Sequence, residues 1–283
     1  MKDYLELTKP RITWLILMSA AVGYFFGMHG SFDLWRALHT LCGVALIASG
    51  TAALNQWYER EADRKMRRTA DRPIPAGRLS PNRALLFGLG LSLAGLIELA
   101  LAVNVLTGLL GLFTMASYLC LYTPLKQRTP LSTLVGAFPG AMPPLIGYAG
   151  SSGTLTLEAW TLFAILFLWQ FPHFLAIAWM YREDYARAGI LMLPVVEPDG
   201  SATARQIVLY SLALIPVSVF PFILGMSGQI YPFGALLLGL LFLYSGIRVA
   251  LDRTILKARR VLLASVIYLP LIYCLMLLDR PAL

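Results

Sequence analysis

Residues 37–63 read ALHTLCGVALIASGTAALNQWYEREAD. From Ala37 to Trp57 the stretch contains no Asp, Glu, Lys or Arg, and beyond Trp57 it turns densely charged. A helix needs ~20 mostly apolar residues to cross the hydrocarbon core of a bilayer, where every backbone N–H and C=O must be bonded within the segment. The run is too long for a barrel strand and lacks two-residue alternation. It predicts a membrane helix that ends in acid-rich turns, so fold and chemistry meet at one helix end.

The rest of the chain repeats this pattern. Its 283 residues are 58% hydrophobic and 13% charged, against about 45–50% and about 25% in an ordinary soluble domain. A soluble fold needs a charged skin, which 23 basic and 15 acidic residues bunched into a few segments cannot provide. Disorder, a disulfide scaffold and a collagen-like rod are excluded on the same figures. Nine apolar runs have the length of a span, at about residues 12–29, 37–57, 83–103, 105–123, 132–150, 158–180, 205–226, 231–251 and 258–278. The predicted fold class is all-α, a polytopic membrane bundle of nine transmembrane helices with cytoplasmic cap loops, forming one domain over residues 1–283 and facing the lipid bilayer.

With the amino terminus on the cytoplasmic side, all of the 23 Lys and Arg except Arg36 and Arg280 fall on that side. Such a bias orients the chain and requires an odd number of spans, which puts the carboxyl terminus outside. The expected location is the bacterial inner membrane. Membrane orientation also accounts for the net charge of +8, so no nucleic acid partner is expected. The first apolar run leads into Tyr24, Phe25 and Phe26 without a small-x-small site, so no cleavable signal peptide is expected. Cys42, Cys120 and Cys274 sit in apolar runs without metal-binding spacing and read as packing residues.

Two inner connections, residues 58–82 and 181–204, are longer and more polar than mere connection requires, so a site is expected there. If the helix continues past Trp57, Asn55, Glu59 and Asp63 lie one turn apart on a single face, while Glu61 points elsewhere. Converging oxygens of this kind suit Mg²⁺, usually held by one or two carboxylates together with substrate phosphates. The plainer reading pairs the acids with Arg60, Arg64 and Lys65 at a solvated helix end. Asn55, still inside the apolar run, favours a site, because intramembrane polar groups normally face a bundle interior. Arg68 and Arg72, followed by Pro73, Pro75 and Gly77, form a stiff basic loop that can grip a diphosphate or anchor to lipid headgroups.

Asn55-x3-Glu59-x3-Asp63, with Met66, Arg68-Thr69, Arg72-Pro73 and Gly77, resembles the first motif of the membrane-embedded aromatic prenyltransferases related to 4-hydroxybenzoate polyprenyltransferase, and within them the protohaem IX farnesyltransferase (haem O synthase) family. Thr8-Lys9-Pro10-Arg11, Tyr122 to Lys126, Pro139-Gly140-Ala141, Pro143-Pro144, and Trp169-Gln170-Phe171-Pro172-His173-Phe174 leading to Glu183-Asp184-Tyr185 extend the likeness from Thr8 to about Pro194. The chain departs from the superfamily in carrying Glu59 where Asp is commonest, and Glu183-Asp184-Tyr185 where an Asp-x3-Asp pattern is usual. The second departure points to haem rather than a phenol.

The resemblance implies a farnesyl diphosphate donor, a haem B acceptor, a Mg²⁺ cofactor and a haem O product made for terminal oxidases, with a downstream haem-modifying enzyme or oxidase assembly partner. It implies catalytic roles for Asn55, Glu59, Asp63 and Asp184, with Asn55, Glu59, Asp63, Glu183 and Asp184 as metal ligands. Arg68, Arg72, Lys126 and Arg128 would meet the diphosphate. Tyr122, Gln170, His173 and Tyr185 would line the prenyl and haem space. For Tyr122 the alternative is interfacial anchoring, for His173 a helix-to-helix hydrogen bond, and for Glu183 and Asp184 salt bridging within the loop. A related enzyme acting on a quinone precursor or chlorophyllide is the nearer competing reading. A transporter is the farther one, disfavoured because the charged motifs lie at one face rather than the midplane.

Overall fold

The computed structural model describes residues 1–281, and among these there is no strand. A short α1 (Lys2–Leu7) precedes α2 (Pro10–Phe26) and α3 (Leu34–Tyr58). After α4 (Arg60–Lys65) come α5 (Pro81–Val103), α6 (Val105–Leu125), α7 (Ser132–Ser152) and α8 (Leu157–Met180). Two short helices, α9 (Arg182–Arg187) and α10 (Leu193–Val196), lead to α11 (Ser201–Ile223), α12 (Tyr231–Leu251) and α13 (Ile255–Leu278). The inner connections expected to be loops are therefore capped by short helices and tight turns.

Seven of the long helices, α3, α5, α6, α8, α11, α12 and α13, are long and apolar enough to cross a bilayer. The other two long helices are α2, with 17 residues, and α7, whose Ser, Gly and Pro content lowers its hydropathy. Neighbouring helices pack in chain order. On one side α3 lies against α2 and α5, and α6 against α5; on the other, α11, α12 and α13 follow in turn. α7 touches α2, α3, α6 and α8, while α8 touches α7, α11 and α13, so these two helices join the halves.

Every residue of α7 from Ala141 to Gly150 is buried. A helix walled by protein does not need the Leu and Ile that lipid-facing helices carry, and small residues let neighbouring backbones come close. A Cβ built on Gly147 would lie 1.8 Å from the Ala20 carbonyl oxygen of α2, and one on Gly23 2.0 Å from the Pro144 carbonyl oxygen. Pro139, Pro143 and Pro144 lie inside α7 without breaking it. α7 is thus a continuous, closely packed helix.

Polar side chains make further helix contacts. The Trp169 indole N–H donates to the Ser265 carbonyl at 2.8 Å, joining α8 to α13. Tyr231 donates to the Ser218 carbonyl at 2.7 Å, joining α12 to α11. Outward faces carry exposed Leu86, Leu101, Phe233 and Leu241, as a lipid-facing surface requires. Cys42, Cys120 and Cys274 are also exposed, which corrects the reading of them as packing residues: each falls on the outward stripe of its helix.

The Gly147 contact can be tested directly. Gly147→Ala is expected to destabilise the protein by about 3 kcal/mol, the upper end for overpacking, because the obstructing atom is backbone. Gly90→Ala, where nothing lies within 4 Å of the new Cβ, is expected to be neutral or slightly stabilising. Thermal unfolding in detergent compares the two.

Candidate active site

The polar turns that end α3 stay helical in their bonding. The Glu59 N–H donates to the Asn55 carbonyl at 2.9 Å and the Asp63 N–H to the Glu59 carbonyl at 2.8 Å. The α-helical dihedrals lapse only at Glu59, where φ is −85° and ψ 6°. Asn55, Glu59 and Asp63 therefore follow one another at single-turn spacing, and all three are buried. Glu61 is 66% exposed and pairs with Arg64 at 3.0 Å, so the surface pairing weighed for the whole cluster applies to Glu61 alone.

Glu59 and Asp63 instead find cations beyond their own helical turns, Asp63 nine residues on at Arg72 and Glu59 in a distant segment at Lys126. Asp63, at 0% exposure, accepts through Oδ2 from Arg72 Nη1 at 2.7 Å. Its other oxygen, Oδ1, is buried with no hydrogen-bond partner. The loop that supplies Arg72 is held by Thr69, whose hydroxyl donates to the Asp63 carbonyl at 2.9 Å. Glu59 accepts from Lys126 Nζ at 2.8 Å. Burial alone would depress the Lys126 ammonium, but the Glu59 carboxylate beside it reverses the direction and holds it well above the ordinary lysine value.

Lys126 is delivered by a widened turn. Residues Ser117–Tyr122 of α6 form a π-helical turn, a distortion frequent at functional sites. The Thr123 hydroxyl donates to the Tyr118 carbonyl at 2.8 Å and accepts from Asn55 Nδ2 at 3.2 Å. That leaves the Asn55 side-chain oxygen, Oδ1, as its atom suited to a cation. The Tyr122 ring lies 4.4 Å from Lys126 Nζ and packs against Gly136, where a Cβ would meet it at 2.5 Å.

The segment that follows α8 closes over the one that follows α3. The Arg68 N–H donates to Asp184 Oδ2 at 3.4 Å and Arg68 Nη2 to the Tyr185 hydroxyl at 3.2 Å. The Arg68 guanidinium also lies 4.8 Å from the Tyr181 ring. The Leu191 N–H donates to the Lys126 carbonyl at 2.7 Å, so three separated segments meet. Asp184 is buried and paired with Arg187 through its other oxygen. Glu183 is exposed and lines an open pocket of about 470 Å³ with Arg67, Arg68 and Arg182. Arg128 is exposed just beyond α6.

Gln170 and His173 lie deeper, His173 about two turns inside the end of α8. Gln170 Nε2 donates to the Ala137 carbonyl of α7 at 2.8 Å, and Gly140 leaves room for its side chain. His173 Nδ1 meets Ser265 Oγ at 2.8 Å and its ring stacks on Trp169. Both side chains bridge helices, the second of the two readings open for His173.

Sequence reasoning missed Thr123, the hinge between Asn55 and α6, and Gln56, which donates to the Leu7 carbonyl at 2.9 Å and docks α1. It gave Lys9 no role. Gln56 carried a readable signal, a second amide beside Asn55 within an apolar run, whereas Thr123 carried none. Among the described residues, no three Asp, Glu, His or Cys side chains gather closely enough to hold a metal unaided. The donors present are hard oxygens, one of them the unpartnered Asp63 Oδ1. They fit Mg²⁺ as a partial shell that phosphate oxygens complete.

Known proteins resemble this chain across most of its length. The UbiA prenyltransferase family model matches residues 16–269. The chain is 67% identical to the protoheme IX farnesyltransferase of Solibacter usitatus (strain Ellin6076), over all of both chains. It is 48% identical to that of Koribacter versatilis (strain Ellin345), covering 99% of this chain and 94% of the relative. A structure described as digeranylgeranylglyceryl phosphate synthase in membranes superposes with a TM-score of 0.81 at 19% identity, covering 99% of this chain and 98% of that one. A UbiA homolog from Archaeoglobus fulgidus bound to GPP and Mg²⁺ gives 0.67 at 18% identity, covering 97% and 99%. A helical membrane fold, buried carboxylates set against basic side chains, and this match across most of its length together place the chain in the UbiA prenyltransferase family.

Proposed function

We propose that this protein transfers the farnesyl group of farnesyl diphosphate to a vinyl carbon of haem B, with addition of water, to give haem O. The observation that carries the chemistry is Asp63, a fully buried carboxylate with one oxygen on Arg72 and the other without a partner. The acceptor and the prenyl length follow from the full-length likeness to protoheme IX farnesyltransferases.

Breaking the allylic carbon–oxygen bond leaves a carbocation and a highly charged diphosphate, so stabilising the developing charge is the main task. Arg72 and Lys126, with Arg68 and Arg128, supply cationic donors to the leaving group. Mg²⁺, when bound through Asn55, Glu59 and Asp63 on one segment and Glu183 and Asp184 on the other, supplies further positive charge to the diphosphate. The Tyr122 ring lies beside this site and offers its π face to the allylic cation. By the family likeness, Gln170, His173 and Tyr185 belong to the part of the bundle that receives the prenyl chain and the haem. The surrounding helices exclude water until the vinyl carbon has attacked. This reading takes the chain as one catalytic domain of nine spans in the bacterial inner membrane, amino terminus and site cytoplasmic, carboxyl terminus outside. The product would pass to a haem-modifying enzyme or an oxidase assembly partner.

Incubating the purified protein with haem B and farnesyl diphosphate, with mass spectrometry as readout, should show haem O. Transfer only to a quinone precursor or chlorophyllide would overturn the acceptor. Asp63→Ala should lower turnover at least ~1,000-fold, as loss of a major electrostatic element does, while size-exclusion behaviour is unchanged. EDTA should abolish transfer and added Mg²⁺ restore it. Lys126→Met should cut kcat at least ~100-fold, since its charge acts mainly on the leaving group.

A further inference from the structure

Arg78 donates from all three of its guanidinium nitrogens. Nε bonds Asp3 at 2.8 Å and Nη2 bonds Glu6 at 2.6 Å, both on α1, while Nη1 bonds the Asp71 carbonyl at 2.5 Å. That carbonyl belongs to the peptide joining Asp71 to Arg72, the residue whose own guanidinium meets Asp63. Gly77, at φ 73°, allows the reversal that brings Arg78 back to Asp71, and the Leu79 N–H closes it on the Pro73 carbonyl at 3.0 Å. The loop that carries Arg72 is thus fastened twice, by the Thr69 hydroxyl on one side and by Arg78 on the other.

α1 gives Arg78 a fixed mount. Leu7 is fully buried in a small apolar cluster with Ala53 of α3, Ile74 and Leu79 of the loop and Ala84 of α5. The Tyr4 and Phe87 rings meet edge to face at 5.0 Å, and the Gln56 amide holds the Leu7 carbonyl at 2.9 Å. The chain leaves α1 through Lys9, at φ 49° and ψ 60°, a left-handed conformation that a lysine keeps only where its surroundings impose it. These contacts dock α1 without Arg78. The side chains of the two ion pairs are between 36% and 42% exposed, and pairs so open to solvent add little to stability. What a planar fork of donors fixes instead is direction.

We propose that Arg78 is a positioning residue: by tying the Asp71–Arg72 peptide to Asp3 and Glu6, it keeps the Arg72 guanidinium on Asp63 and makes α1 a working part of the site. The inference rests on the reading of Arg72 as a donor to the leaving group, and it adds three residues that act through Arg72 rather than on the substrate. Arg72 must meet charge that develops during the reaction, and displacing such a group by about 1 Å can cost about 100-fold in rate. Released from α1, its loop is fastened on one side only.

Steady-state kinetics of the full-length protein in detergent, with farnesyl diphosphate and haem B, tests this. Arg78→Gln should lower kcat about tenfold, with KM for haem B and the melting temperature unchanged. Arg78→Lys, which keeps the charge without the fork, should recover part of the loss. Asp3→Asn combined with Glu6→Gln should match Arg78→Gln, although neither acid lies on an acid-bearing segment of the site. A double-mutant cycle separates positioning from bracing: in an Arg72→Gln background, Arg78→Gln should cost no more than about twofold further, because the group it positions is gone. Wild-type kcat in Arg78→Gln or in the Asp3 and Glu6 double variant would overturn the inference and leave the prenyltransferase reading intact. So would an undiminished loss in the Arg72→Gln background, or a fall in kcat that only follows a fall in melting temperature. If Arg72→Gln does not fold, the Asp3 and Glu6 double variant decides. Absence of prenyl transfer in the unmodified protein would sink that reading, and the inference with it.

Discussion

Asp63 has no exposure to solvent, and its charge is met by Arg72 at 2.7 Å. A buried carboxylate is costly unless paired, and removing its partner costs more than the pair contributes. Much of this end of the molecule can be understood as the means of keeping that charge in place. The turns after α4 bring Arg72 back. The Thr69 bond to the Asp63 carbonyl fixes the loop. Asp184, on a segment more than a hundred residues later, accepts from the backbone N–H of Arg68 in that same loop. Glu59 repeats the arrangement with Lys126. Glu59 and Asp184 are each bonded to a distant segment, through Lys126 and the Arg68 N–H, so the acids also act as ties between segments.

Those ties need a rigid frame, and the contact between α2 and α7 supplies it. Backbone meets backbone at Gly147 and Gly23, with no side chain between to adjust. α8 then fixes the other half through Trp169 and Ser265. The short helices that directly follow α8 and α3, α9 and α4, carry Asp184 and Asp63, so the spacing of the two acid-bearing segments is set by helix packing deeper in the bundle.

Much of this was legible in the sequence. Apolar runs broken by charged loops located the long helices, because a bilayer demands uninterrupted length. The single-turn spacing of Asn55, Glu59 and Asp63 carried through to the folded chain. Their partners were harder to see. Local pairing with Arg60 or Arg64 was the natural expectation, whereas Arg72 and Lys126 reach the acids through a returning loop and a π turn, neither of which leaves a periodic signal. The cysteines were misjudged because an apolar run does not reveal which stripe faces protein and which faces lipid.

The enclosure of α7 bears on how the chain is made. Hydropathy suffices for a segment to leave the translocon by itself, and α7, rich in Gly, Ser and Pro, has little of it to offer. On the nine-span reading it must be escorted, handed from the channel to α2 and α3, which are synthesised earlier, and sealed when α8 emerges. Biogenesis of this protein is then ordered by a helix that falls outside the seven apolar enough to cross alone.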